Sequence, residues 1–304
     1  MWNFEILGVS LYHIAAWLYI YSFLGWVWES AFISFKQKKL VNRGFVTGPL
    51  CTIYGVGAVS VYLILRPLGD NPLLVYLGGV AVATVLEYIT AVLMEAIFHA
   101  CWWDYSTKKF NFQGKICLGS SVAWGFFTLI MFKVLQPFVE LVTGLVDQET
   151  GQSIIIAVTV LYAADFAYSM TSAVNLGQKL GRLQLKLGEV AEYFLNTKIM
   201  TSVDEFREKW ENYTIYSIKT SFREKVDLYQ EKLAEQLESR GLTQYRDAAA
   251  EKLSSLRESY MKAVEKGSFG ARRFMRAYPS LSRISRFKIK RNIKKKNKRE
   301  RKEK

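Results

Sequence analysis

Residues 73–98 read LLVYLGGVAVATVLEYITAVLMEAIF, and the only charges in the run are Glu87 and Glu95. It exceeds the roughly 20 residues an α-helix needs to cross about 30 Å of hydrocarbon. Lipid offers no partner to an open backbone, so the run is expected to be a transmembrane helix. Four more apolar stretches lie around it, at about 11–35, 48–65, 116–142 and 154–174. The chain thus reads as all-α: a polytopic transmembrane helix bundle of about five spans, then cytosolic helices and a basic tail.

The mean hydropathy of +0.06 averages an apolar first half with a charged second half. The composition shifts near Asn175, which divides the 304 residues into a transmembrane domain (1–175), a cytosolic helical region (176–266) and a polybasic tail (267–304). Basic residues in short loops set the orientation. Lys36, Lys38, Lys39 and Arg43 follow the first stretch, and Lys108, Lys109 and Lys115 follow the third. These loops are expected in the cytoplasm. The second connection carries Arg66 against Asp70, and the fourth carries Asp147 and Glu149 without Lys or Arg, so both are expected outside. Five spans then place the N-terminus outside a plasma membrane and the C-terminus in the cytoplasm. The first stretch lacks a positively charged preceding region and reads as a retained span.

Cys51, Cys101 and Cys117 show no CxxC spacing and fall near the expected cytoplasmic side, where thiols stay reduced. His13 and His99 are the only histidines. That supply does not suit a His-rich metal centre or a catalytic triad, so neither a metal nor a cofactor is assigned.

An ionisable side chain inside a span requires a partner or water. Glu29, Glu87 and Glu95 all lean toward the inner membrane face, with Glu87 the deepest of the three. Asp165 is central in the fifth stretch, with no basic residue in the same span. Arg43 is the natural counter-ion because its planar guanidinium binds carboxylates bidentately. Asp104, Asn111 and Lys115 lie close by in the next inner loop, and Trp102, Trp103 and Tyr105 suit the headgroup boundary. Two readings fit. In one, the carboxylates form a buried lock that fixes helix register. In the other, Glu29, Arg43, Glu87, Glu95, Asp104 and Asn111 line a cytoplasm-facing chamber for a cation, a proton or a cationic substrate group. Asp165 is expected to pair with hydroxyl groups or to be protonated. Gly48, Gly55, Gly57, Gly78 and Gly79 are expected to let helices approach closely, and Pro137 to kink or end the fourth helix.

Several motifs carry a family resemblance. Gly25-Trp26, Glu29-Ser30, Asn42-Arg43-Gly44-Phe45, Gly48-Pro49-Leu50-Cys51 and Ile53-Tyr54-Gly55 form its first half. Glu87-Tyr88, Glu95, Trp102-Trp103-Asp104-Tyr105-Ser106, Phe110-Asn111, Gly114-Lys115-Ile116-Cys117-Leu118 and Trp124-Gly125 form its second. Over roughly residues 15–140 the chain resembles the type IV ABC-transporter permease family, also called CmpB-like. Thr52 stands where that pattern has Pro, and Lys115 where it has Arg. The resemblance implies a transporter permease subunit; the scarcity of His and the lack of a metal motif or evident nucleophile speak against an enzyme. The chain has no GxxxxGK[ST] sequence, so ATP-driven work would need a separate ATPase subunit. Five spans are few for a complete path, which suggests a homo-oligomer or a partner permease.

Leu176, Leu180, Leu183, Leu187, Val190 and Phe194 are spaced as a heptad seam. The fifth span is expected to run on into this helix, which either self-associates as a coiled coil or folds back as a hairpin. Two further helices are expected around residues 222–237 and 253–264. Beyond Gly267 there are sixteen Lys and Arg against two Glu, a net of +14 that equals the formal charge of the whole chain. Interleaved with aromatics, Arg272, Arg273, Arg276, Arg283, Arg286, Lys288, Lys290, Arg291, Lys294, Lys295 and Lys296 suit anionic lipid headgroups. Nucleic acid is the lesser alternative for a tail tethered below a membrane. Two other functional classes remain open: a scaffold or regulator using the seam and the tail, and an intramembrane enzyme acting on lipid through paired carboxylates.

Overall fold

The computed structural model describes residues 2–98, 102–106, 108–197, 199–200, 205, 222–239, 241–260 and 268–278. His99, Cys101 and the tail residues from Arg283 to Lys296 lie outside that set. Two compact units emerge: Met1–Val174 with Arg273–Leu281, and Asn175–Arg272 with Ser282–Lys304.

The first unit is built of helices α1 (Leu11–Gln37), α2 (Thr52–Leu65), α3 (Pro72–Phe98) and α4 (Leu118–Gly144), with the start of α5 (Gln148–Asn196). Three of them, α3, α4 and α5, are long and apolar enough to cross a membrane; α1 matches α3 in length at 27 residues, and Thr52–Leu68 is a shorter apolar helix. Their outward faces carry exposed Leu, Ile, Val and Phe, as a helix facing acyl chains requires. α1 packs chiefly on α2, and α3 on α4. Trp17, Tyr21, Val59, Leu65, Met131 and Val139 form the buried centre.

Small residues make the two main pairings close. A Cβ on Gly55 would lie 2.3 Å from the Leu18 carbonyl oxygen, and one on Gly79 would lie 2.4 Å from the Thr128 hydroxyl. Only glycine permits either approach. α4 does not end at Pro137: a π-turn over Met131–Leu135 precedes the proline, and the helix continues to Gly144. The wider turn absorbs the missing N–H and the ring clash. α2 begins at Thr52, four residues after the start of its apolar stretch, because Asp165 holds the N–H groups of Thr47 and Gly48 in a loop.

A short hairpin joins α3 to α4. Asn111–Phe112 pairs antiparallel with Ile116–Cys117, and the turn between them uses positive φ at Gln113 (54°) and Gly114 (70°). Cys117 then caps α4 through Ser120.

α5 is one continuous helix of 49 residues. In the second unit its seam residues Leu176, Leu180, Leu183, Leu187, Val190 and Phe194 are all buried. α6 (Phe222–Ser239) and α7 (Arg246–Tyr260) pair with each other and bury Leu233, Leu237, Leu253 and Leu256. Lys186 donates to Ser259 at 2.6 Å, and the Lys252 ammonium lies 4.9 Å from the Tyr193 ring centroid, so α7 returns along α5. A last helix, α8, covers Phe269–Ala277.

Candidate functional site

The three glutamates singled out in the sequence meet three different kinds of partner. Glu29 on α1 is paired with Arg43: the Arg43 Nε donates to its carboxylate at 3.3 Å, and the Tyr54 hydroxyl donates to the other oxygen at 2.6 Å. The Arg43 backbone N–H donates to Ser30 at 3.2 Å. Glu95 is paired with Lys115. Glu87 accepts from Tyr105 Oη at 3.1 Å, Ser120 Oγ at 3.3 Å and Trp124 Nε1 at 3.1 Å. Among the described residues every one of these donors is neutral.

The hairpin between α3 and α4 creates that division. Trp103 Nε1 donates to the Lys115 carbonyl at 2.9 Å, and the Tyr105 N–H donates to the Gly114 carbonyl at 2.8 Å. The Asn111 amide donates to the carbonyls of Ser106 and Lys108, while its oxygen accepts from the Gly114 N–H. Asp104 accepts from the Ser106 N–H at 2.8 Å. Asp104 and Asn111 therefore shape the loop. The loop they shape delivers Lys115 to Glu95 and Tyr105 to Glu87. Burial, and then the Glu87 charge, raises the Tyr105 phenol above the ordinary tyrosine range, which keeps it a donor.

Asp165 has a fourth kind of partner. It accepts from the N–H groups of Thr47 and Gly48 at 2.9 and 2.7 Å, and from Ser169 Oγ at 3.3 Å. The sequence leaves Asp165 either paired with hydroxyl groups, as it is with Ser169, or protonated; the two backbone donors lie beyond that reading, because they depend on a loop more than a hundred residues away. Asn42 completes this loop by accepting from Trp26 Nε1 and the Gly44 N–H and donating to the Thr47 carbonyl.

Arg273, read from composition as a lipid-facing tail residue, is turned inward instead. Its guanidinium donates to the carbonyls of Gly44, Phe45 and Val46 and to Ser169 Oγ. Burial of Phe274 and Ala277 on the same helix sets this orientation, and leaves Arg272 and Arg276 exposed. Tyr278 donates to the Arg43 carbonyl, and Arg43 donates to the Ala277 carbonyl. Trp102 packs edge-to-face on Tyr278 with ring centroids 4.7 Å apart.

Sequence reading missed Tyr54, Ser120, Trp124 and Tyr278 as partners of the charged groups. Trp124 had a usable signal: it lies seven residues after the Cys117 cap, on a helix that must pack beside α3.

Neither a curated protein nor a solved structure shows significant similarity to this chain. A family model does match, over residues 16–170, and every carboxylate described above lies within that range. The chain belongs to the family described as "Putative ABC-transporter type IV".

Proposed function

We propose that the protein is the membrane-embedded permease subunit of an ABC transporter, powered by a separate ATPase subunit. In this reading Glu87 is the working acceptor for a proton, a cation or a cationic substrate group. Glu29 with Arg43 and Glu95 with Lys115 are fixed pairs that hold the helices around it. The observation that carries the reading is that, among the described residues, the donors around Glu87 are all neutral. A carboxylate already matched by Arg or Lys is a poor site for a second cation, whereas one held only by neutral donors keeps its charge available. The distribution of Lys and Arg supports an external N-terminus and a cytoplasmic carboxylate layer. Arg272 and Arg276, exposed on α8, fit contact with anionic lipid.

The scaffold reading has less support. The seam that would gather partners is buried along the helices of its own unit.

Affinity purification in mild detergent tests the assignment. Recovery of an ATPase subunit in stoichiometric amount supports the permease, and recovery of a soluble partner without ATPase activity contradicts it.

A further inference from the structure

Three successive carbonyls, of Gly44, Phe45 and Val46, converge on one guanidinium. Arg273 Nη1 donates to Gly44 O at 2.8 Å and to Val46 O at 2.7 Å, and Nη2 donates to Phe45 O. Ser169 Oγ bridges Nη2 and the Asp165 carboxylate, at 3.3 Å from each. The neighbouring N–H groups face other acceptors: Gly44 N–H goes to Asn42, and those of Thr47 and Gly48 go to Asp165. Among the described residues those three carbonyls accept no backbone hydrogen bond. The ring of Phe45 is packed against Phe98, Trp102, Phe166 and Phe274, and the Arg273 guanidinium carbon lies 4.4 Å from the Phe274 ring centroid. A planar, forked donor matches such a set of acceptors, and a point-charge ammonium does not.

The residues that follow close over the neighbouring ion pair. The Arg43 guanidinium carbon lies 4.3 Å from the Tyr278 ring centroid, its Nη1 donates to Ala277 O, and Tyr278 Oη donates to Arg43 O. Arg43 is therefore held from one side by Glu29 and from the other by residues 277–278. Cys51, three residues beyond Gly48, is a buried thiol in the same region.

We infer that residues 44–46 form a guanidinium-binding cradle whose resident ligand is the chain's own Arg273, making residues 273–278 a latch over the Glu29–Arg43 pair. The inference does not depend on transport, since it rests on contacts that Glu87 does not share. A guanidinium supplied from elsewhere, as a free ion or a partner's arginine, would compete for the same three carbonyls.

The test is N-ethylmaleimide labelling of Cys51 in the full-length protein in detergent, read by mass spectrometry of the peptide. The parent protein should label slowly. Arg273→Ala should label at least about tenfold faster, the factor that about 1.4 kcal/mol of lost latching produces. Added guanidinium ion at sub-denaturing concentration should slow Arg273→Ala back toward the parent rate, whereas ammonium ion at the same concentration should not. Arg273→Lys keeps charge and length and should remain fast, and it carries the same comparison if Arg273→Ala fails to accumulate. Tyr278→Phe, which keeps the ring and loses one hydrogen bond, should be intermediate. Parent-like labelling of the Arg273 variants would overturn the latch. Equal effects of guanidinium and ammonium would overturn the cradle.

Discussion

The indole N–H of Trp124 on α4 meets the carboxylate of Glu87 on α3 at 3.1 Å, so this acid is held by a ring that carries no charge. Hydrogen bonds to an ionised group contribute about 1.5–3 kcal/mol each. Trp124→Phe keeps an aromatic ring, smaller than the indole, and removes the donor. It should lower the stability of the detergent-solubilised protein by at least that amount, measured as a fall in thermal midpoint. An unchanged midpoint would show that Trp124 does not hold Glu87.

Breaking one partner of Glu29–Arg43 should be worse than breaking both. Arg43→Gln leaves the Glu29 carboxylate with Tyr54 as its described donor, and should cost about 1–3 kcal/mol. The double change Glu29→Gln with Arg43→Gln removes both charges and should recover part of the loss. A double-mutant cycle read by thermal unfolding measures this. Strictly additive costs would mean that the pair does not act as one.

Much of this arrangement was legible in the sequence, and the reasons for the rest are physical. Apolar runs announced the long helices because the hydrocarbon thickness sets their length. Arg43 was legible as a counter-ion for the inner carboxylates, but its pairing with Glu29 in particular was not. Lys115 was not assigned to Glu95, since which cation meets which acid depends on how the Asn111–Cys117 hairpin turns. Arg273 was hidden among sixteen basic residues beyond Gly267. Its one signal is the buried stripe Ala271, Phe274 and Ala277 at helical spacing, which gives the basic segment an inward face. The heptad seam was read correctly as apolar, but a seven-residue period cannot say whether the covering helix comes from another chain or from the same one.

Two phenols should make the protein sensitive to alkali. Burial is the largest cause of the upward shift of both Tyr105 and Tyr278; the Glu87 charge adds to it for Tyr105, and Arg43 partly offsets it for Tyr278. In the unfolded chain each phenol ionises near pH 10, while the folded protein keeps it protonated. Their contribution is thus complete below about pH 10 and is lost as pH rises toward the folded values. Tyr105→Phe and Tyr278→Phe should each flatten the alkaline fall in thermal midpoint. Parallel curves for parent and variants would contradict this.

The second unit should depend on its internal packing. Phe194 is fully buried in the seam, and Phe194→Ala should destabilise this unit by about 3–5 kcal/mol. Oligomeric state in detergent, measured by light scattering, should not change. Loss of a dimer in Phe194→Ala would show that the seam works between chains.

The most direct test of the account is Glu87→Gln in proteoliposomes containing the protein and its co-purified ATPase subunit. The variant should insert and accumulate at the parental level and retain the ATPase subunit. Its ATP-driven turnover should fall by about 100-fold, a barrier increase of about 2.7 kcal/mol. Turnover at the parental rate, or loss of the protein from the membrane, would contradict the claim that Glu87 works while the other two carboxylates hold the frame.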